Sequence, residues 1–355
     1  MEIDNEGPEA VTNVEREFSK KIQGKARELE NFDKFETIIQ YIKREGPSDL
    51  QHFSIDEYIG RGSESLVFKI RLNKTNKCYG LKVIKKKKNK TNNNEFIISK
   101  KLKHKNIATV LCYYVDPKKD VDYILMELGH SNLSHFARKT IKRSTLSETF
   151  LCFICYQTLE GLFYLHKNKI AHLDIKPQNL LINDYLDIKL IDFSVSLDYS
   201  NLKKEEEIQI PYVGTPFFIS PEILERRKTK VKDLQKIDLF SLGVTLYALG
   251  FGQFPFDIKP EDEDVEIIHK LNSGWKVVDD NNNFSTHFIH FLNGLLEIDI
   301  NKRLTINQAL NSYWVKGAEI ILNEKENTYN ANSFLSYLIT DHIREFQNYI
   351  FKKLF

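Results

Sequence analysis

Apolar residues recur along the chain with two different periods. From Phe53, apolar and polar residues alternate with a period of two, the pattern of a β-strand with one buried face. The segments predicted as strands are 53–59, 66–72, 78–84, 107–115 and 121–128, with one helix predicted over 95–103. This part of the chain is therefore predicted to form a small sheet-rich domain.

After Gly129 the helical period dominates. Thr145 and Glu148 have the spacing of a capping box, so they predict the start of a long apolar helix that runs to His166. A short hairpin is predicted around Asn183, and the remaining segments are predicted to be helical to about Trp314. A larger helical domain is expected to follow the sheet.

Helical patterns also extend beyond both domains. Within residues 1–52, four apolar residues recur at helical spacing on one face: Phe35, Ile38, Ile39 and Ile42. A similar pattern occurs within 317–355. Each extension is interpreted either as a helix packed on the neighbouring domain or as a docking helix for a regulatory partner.

Charge and hydropathy exclude some classes of function. Lysine plus arginine number 51 and aspartate plus glutamate 49, so the overall balance gives no reason to expect nucleic-acid binding. The basic run 85–90 fits a nucleic-acid or nuclear-import patch, but a solvated loop is the favoured interpretation. The most apolar stretch, 237–256, includes Asp238 and Pro255, and it predicts a buried helix rather than a membrane span.

Cysteine usage predicts a reducing environment. Cys152 and Cys155 form a Cys-x-x-Cys pattern on an apolar helical run, with no second pair to complete a zinc site. They are predicted to be buried thiols. Because the N-terminus begins with acidic residues and lacks an apolar core, we expect no secretory signal and an intracellular location, cytoplasmic or nuclear.

The main chemical signal is the run His172-Leu173-Asp174-Ile175-Lys176-Pro177-Gln178-Asn179, followed by Asp192-Phe193-Ser194. Phosphoryl transfer from a nucleotide needs a carboxylate to orient the hydroxyl, a lysine to neutralise moving charge, and amide and carboxylate oxygens to hold magnesium. The order and spacing resemble the catalytic loop and metal-binding motif of eukaryotic protein kinases. The resemblance implies an α+β, two-lobed fold, with a β-rich N-lobe over 53–128 and a helical C-lobe over 129–316.

The same resemblance assigns roles to individual residues, with ATP and Mg²⁺ as cofactors and proteins as substrates. Asp174 would be the catalytic base, Lys176 would stabilise the transferred charge, and Lys82 would contact phosphates while paired with Glu95. Metal ligands would be Asn179 and Asp192. Nucleotide contacts would come from Ile59, Gly60, Gly62, Val67, Gly80, Lys82, Met126, Glu127, Leu128 and Leu181.

Further matches resemble the serine/threonine type of this family. Thr215, in Val213-Gly214-Thr215-Pro216, would bind near Asp174 and Lys176. The remaining matches are interpreted as structural: a Glu222–Arg303 ion pair, Asp238 as an anchor of the catalytic loop, and His172 and Phe193 as internal packing residues.

Several residues depart from the family pattern. Leu173 replaces the arginine that usually receives an activation-segment phosphate, and Pro211 stands where many relatives carry the phosphorylated hydroxyl. These two changes predict an enzyme that does not need the usual activation-segment phosphorylation, although Ser196, Ser200 and Tyr212 remain as hydroxyl groups.

Three serines also replace usual residues. Ser65 replaces the third loop glycine, Ser194 replaces the glycine after Asp-Phe, and Ser99 replaces a large apolar residue. Ser99 indicates either looser coupling of its helix to the active site or an incorrect alignment of Glu95. A pseudokinase and a kinase of small molecules or lipids are the competing hypotheses, and retention of the catalytic lysine, acids and amide favours an enzyme.

Overall fold

A computed structural model describes residues 53–61, 65–85, 94–116, 121–129, 131–140, 145–183, 185–259, 261–275 and 284–318. These residues divide into two compact units. The sheet unit contains the described residues up to 103 and 108–128, and the helical unit contains 104–107 and the residues from 129 onward. Gly62, residues 1–52 and 319–355, and nearly all of the basic run lie outside the described residues.

The sheet unit is built on a five-stranded antiparallel sheet. Its elements are β1 (Phe53–Arg61), β2 (Ser65–Leu72), β3 (Cys78–Lys85), α1 (Asn94–Ser99), β4 (Val110–Asp116) and β5 (Val121–Glu127), with strand order β1-β2-β3-β5-β4. The first three predicted strands are confirmed. One face of each strand is apolar, and Phe68, Leu81 and Tyr123 pack together in the core, so local alternation was sufficient to find these strands.

Two predicted boundaries in this region are wrong. Helix α1 ends at Ser99 rather than at residue 103, because the amides of Lys101 and Leu102 bond to carbonyls only three residues back, which tightens and ends the helix. Strand β4 begins at Val110, while Ile107 instead forms an isolated parallel bridge with Leu190.

The helical unit combines helices with several short strands. Its elements are β6 (Ser131–Asn132), α2 (Leu133–Thr140), α3 (Glu148–Lys167), β7 (Ile170–Ala171), β8 (Leu180–Ile182), β9 (Ile188–Leu190), β10 (Leu197–Asp198), β11 (Glu207–Gln209), α4 (Pro221–Leu224), β12 (Lys228–Lys230), α5 (Gln235–Phe251), α6 (Asp264–Asn272), α7 (Thr286–Leu295) and α8 (Ile306–Leu310). The pairs β7–β10 and β11–β12 were not predicted, because strands of two or three residues are too short to show a period.

Helices α3 and α5 form the centre of this unit, and most of their residues are buried. The stretch predicted as a buried helix supplies most of α5, which ends at Gly252 in a left-handed conformation with φ of 70°. In the part of the chain that the structure describes, no helix is both long enough and apolar enough to cross a membrane.

The predicted capping box at the start of α3 is wrong. Ser147 is the N-cap and accepts a hydrogen bond from the Phe150 amide, so Glu148 is the first helical residue. The Glu148 carboxylate accepts hydrogen bonds from the Ser285 amide at 2.6 Å and from Trp314 Nε1 at 2.9 Å, and the Ser285 hydroxyl also donates to it. Burial raises the pKa of Glu148 despite these hydrogen bonds, which act to lower it.

The two cysteines of α3 are buried core thiols, as predicted. Cys152 and Cys155 are fully buried, and the Cys152 thiol donates to the Trp314 carbonyl at 3.1 Å. Burial raises the pKa of both thiols well above its ordinary value. Their side chains therefore act as small apolar residues of the core.

Replacing Trp314 tests whether the Glu148 carboxylate holds this part of the helical unit together. We expect Trp314→Phe to lower the free energy of unfolding by about 2 kcal/mol, because a hydrogen bond to a buried charged group is lost. The neighbouring change Tyr313→Phe is the control. The Tyr313 hydroxyl is buried with no hydrogen-bond partner among the described residues, so its removal should be neutral or stabilising. Urea titrations that rank the two variants in the opposite order would contradict this account.

Candidate active site

The catalytic-loop backbone is held by Asp238, in the first turn of α5. The carboxylate accepts hydrogen bonds from the backbone amides of His172 at 2.9 Å and Leu173 at 2.7 Å, and it lies 2.8 Å from His166 Nε2. Burial acts to raise the pKa of Asp238, but the His166 hydrogen bond, together with neighbouring charge and backbone donors, holds this pKa below its ordinary value. The anchoring contact expected from the sequence is confirmed.

These contacts fix the loop in a conformation that a free chain disfavours. Leu173 has φ of 66°, and Asp192, in the predicted metal-binding motif, has φ of 67°. A left-handed non-glycine residue costs about 1–2 kcal/mol, so neighbouring contacts must compensate. Gly214, with φ of 100°, lies against the backbone of Leu173, and a Cβ atom at residue 214 would lie 2.8 Å from the Leu173 carbonyl oxygen. A side chain at residue 214 is therefore excluded.

His172 serves a structural purpose. Its Nδ1 accepts a hydrogen bond from the Asp174 amide at 3.3 Å, and its Nε2 donates a hydrogen bond to the Ile191 carbonyl at 3.0 Å. The imidazole also packs against Phe193, with ring centroids 5.1 Å apart. Because both ring nitrogens are engaged with the backbone, His172 joins the catalytic loop to the metal-binding motif, the internal packing role expected from the sequence.

Three polar side chains converge on the Asp174 carboxylate. Thr215 Oγ1 donates to Asp174 Oδ1 at 2.8 Å, and Lys176 Nζ lies 2.8 Å from Asp174 Oδ2 while donating to Thr215 Oγ1. Asn179 Nδ2 donates to Asp174 Oδ2 and to the Asp174 carbonyl, each at 2.8 Å. The carboxylate thus already accepts a hydrogen bond from an alcohol, beside a lysine ammonium group. This arrangement suits the orientation of a hydroxyl nucleophile and the neutralisation of developing negative charge.

Asn179 and Asp192 have the ligand chemistry that magnesium prefers. The Ile191 amide donates to the Asn179 carbonyl at 3.1 Å, which brings the residue before Asp192 against Asn179. Since Asn179 Nδ2 is directed at Asp174, its Oδ1 is the side-chain atom left for a cation. Amide and carboxylate oxygens are hard ligands, and magnesium bound to nucleotides takes the remainder from phosphate and water. The residues present therefore fit this metal.

A buried ion pair lies in the sheet unit. Lys82 Nζ lies 2.8 Å from both carboxylate oxygens of Glu95, and both side chains are less than one tenth exposed. The expected pairing is confirmed, which supports the alignment that places Ser99 one helical turn later. Ser99 is buried, and its hydroxyl has no hydrogen-bond partner among the described residues. The serine therefore leaves a polar group where the family usually packs an apolar side chain.

The register of the sheet aligns four of the predicted nucleotide contacts of this unit. Val67 stands opposite Lys82, and Gly80 stands opposite Met126, so these four residues share one face of the sheet. A Cβ atom at Gly80 would lie 3.2 Å from Met126 Cγ, so only a small residue keeps this face open.

The other predicted contacts occupy strand ends and loops. Ile59 is exposed on β1, and Gly60 pairs with Val67. Glu127 ends β5, where its amide donates to the Thr109 carbonyl, and Leu128 follows it. In the helical unit, Leu181 packs beside Gly129, where a Cβ atom would lie 2.9 Å from Leu181 Cβ. The nucleotide-binding roles of these residues stay predictions.

The predicted pair Glu222–Arg303 is present and fully buried. Arg303 donates to both carboxylate oxygens of Glu222, at 2.8 and 3.0 Å, and also to the carbonyls of Glu297 and Lys236. A bidentate guanidinium–carboxylate pair has a fixed geometry. It therefore fixes helix α4, and the segment that ends there, in the helical unit.

Sequence reasoning missed the role of Ser196, which it treated only as a hydroxyl available for modification. The side chain is 3% exposed, and its Oγ donates to the His172 carbonyl at 3.0 Å. The His172 amide is held by Asp238 and its carbonyl by Ser196, so both polar groups of this residue's backbone are fixed. No local pattern indicates this contact, because the residues lie 24 positions apart.

Removal of the Ser196 hydroxyl tests its hold on the catalytic loop. We expect Ser196→Ala to lower the free energy of unfolding by about 1–3 kcal/mol, because a buried carbonyl loses its donor. Ser194→Ala, at an exposed position two residues earlier, is the control and should stay within about 0.5 kcal/mol of the parent protein. Equal stability of both variants in chemical denaturation would refute a positioning role for Ser196.

Comparison with known proteins agrees with this geometry. The family model of the protein kinase domain matches residues 53–315. The chain is 30% identical over 277 residues to serine/threonine-protein kinase dst2 of Dictyostelium discoideum, and the match covers 76% of this chain and 23% of that protein. It is 27% identical over 279 residues to serine/threonine-protein kinase D2 of Rattus norvegicus, covering 76% of this chain and 30% of that protein. The chain thus matches less than a third of the length of either relative. With a β-sheet region followed by a helical region, the mixed α+β fold expected from the sequence, the chain belongs to the protein kinase domain family.

Proposed function

We propose that the protein is an ATP-dependent protein serine/threonine kinase that transfers the γ-phosphoryl group of ATP to serine or threonine hydroxyls. Its lobes span 53–128 and 129–316 in this proposal. The observation that carries it is the cluster of Asp174, Lys176 and Thr215, in which a carboxylate accepts a hydrogen bond from an alcohol beside an ammonium group. The printed names of the two relatives support the same acceptor type.

Each polar side chain has a defined part in this reaction. Asp174 accepts the hydrogen bond of the substrate hydroxyl and orients its oxygen toward the γ-phosphorus, while Lys176 stabilises the negative charge on the transferred group. Asn179 and Asp192 hold Mg²⁺, which neutralises phosphate charge when bound. Lys82, fixed by Glu95, contacts the α- and β-phosphates.

The alternative of a catalytically inactive scaffold is less well supported. A pseudokinase usually lacks the phosphate-binding lysine, the catalytic acid or the metal-binding acid, and all three are present here as Lys82, Asp174 and Asp192. The second alternative, a kinase of small molecules or lipids, does not need a segment that binds a peptide substrate. The threonine at 215 and the buried Glu222–Arg303 pair hold a segment suited to a peptide acceptor.

We also propose that activity does not require phosphorylation of the activation segment, residues 194–220. Leu173 is buried and apolar and cannot bind a phosphate, and Pro211 has no hydroxyl. The segment is held without a phosphate: β10 pairs with β7, the Ser241 hydroxyl donates to the Phe218 carbonyl at 2.7 Å, and the Thr215 hydroxyl donates to Asp174.

Substitution of the catalytic acid tests the proposed chemistry. Asp174→Asn should leave nucleotide binding nearly intact and slow phosphoryl transfer on the order of a thousandfold, which corresponds to about 4 kcal/mol of activation free energy. The measurement is transfer of labelled phosphate from ATP to a serine-containing peptide library. Asp257→Asn, at an exposed position outside the site, is the matched control and should keep full activity. An unchanged rate in the Asp174 variant would remove that residue from the proposed role.

Phosphatase treatment tests the proposed independence from activation. We expect the treated and untreated protein to phosphorylate peptides at rates within about twofold, because no phosphate is needed to place the segment. Mass spectrometry of residues 194–220 before and after treatment serves as the control for removal of phosphate. A large loss of activity that follows dephosphorylation of this segment would contradict the proposal.

A further inference from the structure

The antiparallel ribbon of β11 and β12 carries an uneven distribution of charge. The exposed cations on and beside β12 are Arg226, Arg227, Lys228, Lys230 and Lys232. At the far end of the ribbon, Lys232 Nζ and Lys230 Nζ lie 3.0 and 3.7 Å from Glu205, and Glu207 stands opposite Lys230 in the register. These cations are neutralised by neighbouring carboxylates.

The other end of the ribbon lacks such compensation. Lys228 stands opposite Gln209, which is neutral. Within the described residues, neither Arg226 nor Lys228 forms an ion pair, whereas Arg227 pairs with Glu225. Arg226 and Lys228, separated by one residue in the sequence, therefore remain available to an external anion.

This end of the ribbon is the one connected to the acceptor site. Only five residues, Ile210 to Gly214, separate Gln209 from Thr215, and none of them is acidic. Tyr212 lies three residues before Thr215, a separation that spans at most about 10 Å of chain. Burial and the neighbouring Asp264 raise the pKa of Tyr212, while the positive charge of Arg226 acts to lower it. The Asp264 carboxylate accepts a hydrogen bond from the Tyr212 hydroxyl at 3.4 Å.

The backbone of Arg226 is fixed in an unusual conformation. Its φ is 53°, in the left-handed region, and its amide donates to the Ile223 carbonyl at 3.1 Å. The next amide, of Arg227, donates to the carbonyl of Glu222 at 3.0 Å. Since Glu222 is locked by Arg303, the turn that presents Arg226 is attached to the buried core, and the position of its Cα is set before any ligand binds.

We propose that Arg226 and Lys228 bind an anionic side chain of the protein substrate, located several residues along the peptide from the hydroxyl that is phosphorylated. The anion is the carboxylate of aspartate or glutamate, or the phosphate of a residue modified beforehand. An extended peptide advances about 3.3 Å per residue, so a separation of three to six residues spans about 10–20 Å. This inference rests on the proposed function, because it names the substrate class of the same site.

Kinetic measurements with synthetic peptides test the proposed preference for an anionic side chain in the substrate. A serine-containing peptide with alanines on both sides is compared with peptides that carry one aspartate, one phosphoserine or one lysine three to six residues from the serine. We expect the KM of the best aspartate or phosphoserine peptide to be about tenfold lower than that of the alanine peptide, with little change in kcat. The lysine peptides should show no such gain. Comparison of the aspartate and phosphoserine series shows which anion is preferred, and equal KM values for all series would overturn the inference.

Two double variants test whether Arg226 and Lys228 cause the preference for an anionic peptide. Arg226→Asn combined with Lys228→Gln removes both uncompensated charges, and asparagine tolerates the left-handed backbone of residue 226. This variant should lose the tenfold advantage of the anionic peptide and keep the KM of the alanine peptide. Lys230→Gln combined with Lys232→Gln is the matched control, which removes the same charge from the compensated end and should keep the advantage. An anionic preference retained in the first variant would overturn the assignment.

A binding measurement separates failure of this inference from failure of the proposed function. Fluorescence anisotropy of labelled phosphoserine and alanine peptides with the full chain, without ATP, reports affinity independently of phosphoryl transfer. Tighter binding of the phosphoserine peptide, lost in the Arg226/Lys228 variant, supports the anion site even if the protein phosphorylates no peptide. Equal affinities refute the anion site even if it phosphorylates peptides well.

Discussion

The buried carboxylate of Asp238 is the contact on which the loop around the proposed catalytic residues depends. Helix α5 is apolar along nearly its whole length, and a charge in its first turn has to find donors inside the protein. The catalytic loop supplies them through the amides of His172 and Leu173, and His166 completes the set. The core and the site therefore stabilise each other, since the core needs the loop amides and the loop needs the carboxylate to hold Leu173 in a left-handed conformation.

From this anchor, hydrogen bonds extend in two directions. His172 connects through its ring to Ile191 and through its carbonyl to Ser196, so the predicted metal-binding motif and the start of the proposed activation segment are both bound to one residue. Thr215 joins the end of that segment to Asp174. Each of these links uses a neutral donor or a backbone group, so none of them depends on a phosphate. An aliphatic residue at 173 is compatible with such a site because no charge has to be bound there.

Sequence patterns predicted those parts of the fold in which local order and tertiary packing agree. Strand β2 alternates buried with half-buried residues over Ser65–Ile70 because one of its faces lies on the core. The prediction of a capping box at the start of α3 was wrong because distant contacts override the local pattern there. Glu148 has the spacing of a capping residue, but its carboxylate binds Ser285 and Trp314, which lie 137 and 166 residues away. The end of α1 and the short strand pairs were missed because single turns and two-residue strands carry no period.

The sequence by itself determined which chemical groups the protein has, because family motifs keep acids, amides and lysines at fixed spacing along a short loop. It was sufficient to pair Lys82 with Glu95 and Glu222 with Arg303. Only the tertiary structure decided that Ser196 is a buried donor to the loop and that Lys228 and Arg226 form no ion pair with the part of the chain that the structure describes. Such assignments depend on which groups meet after distant segments have packed, and hydrogen bonds and ion pairs act over a few ångströms in space, whatever the separation along the chain.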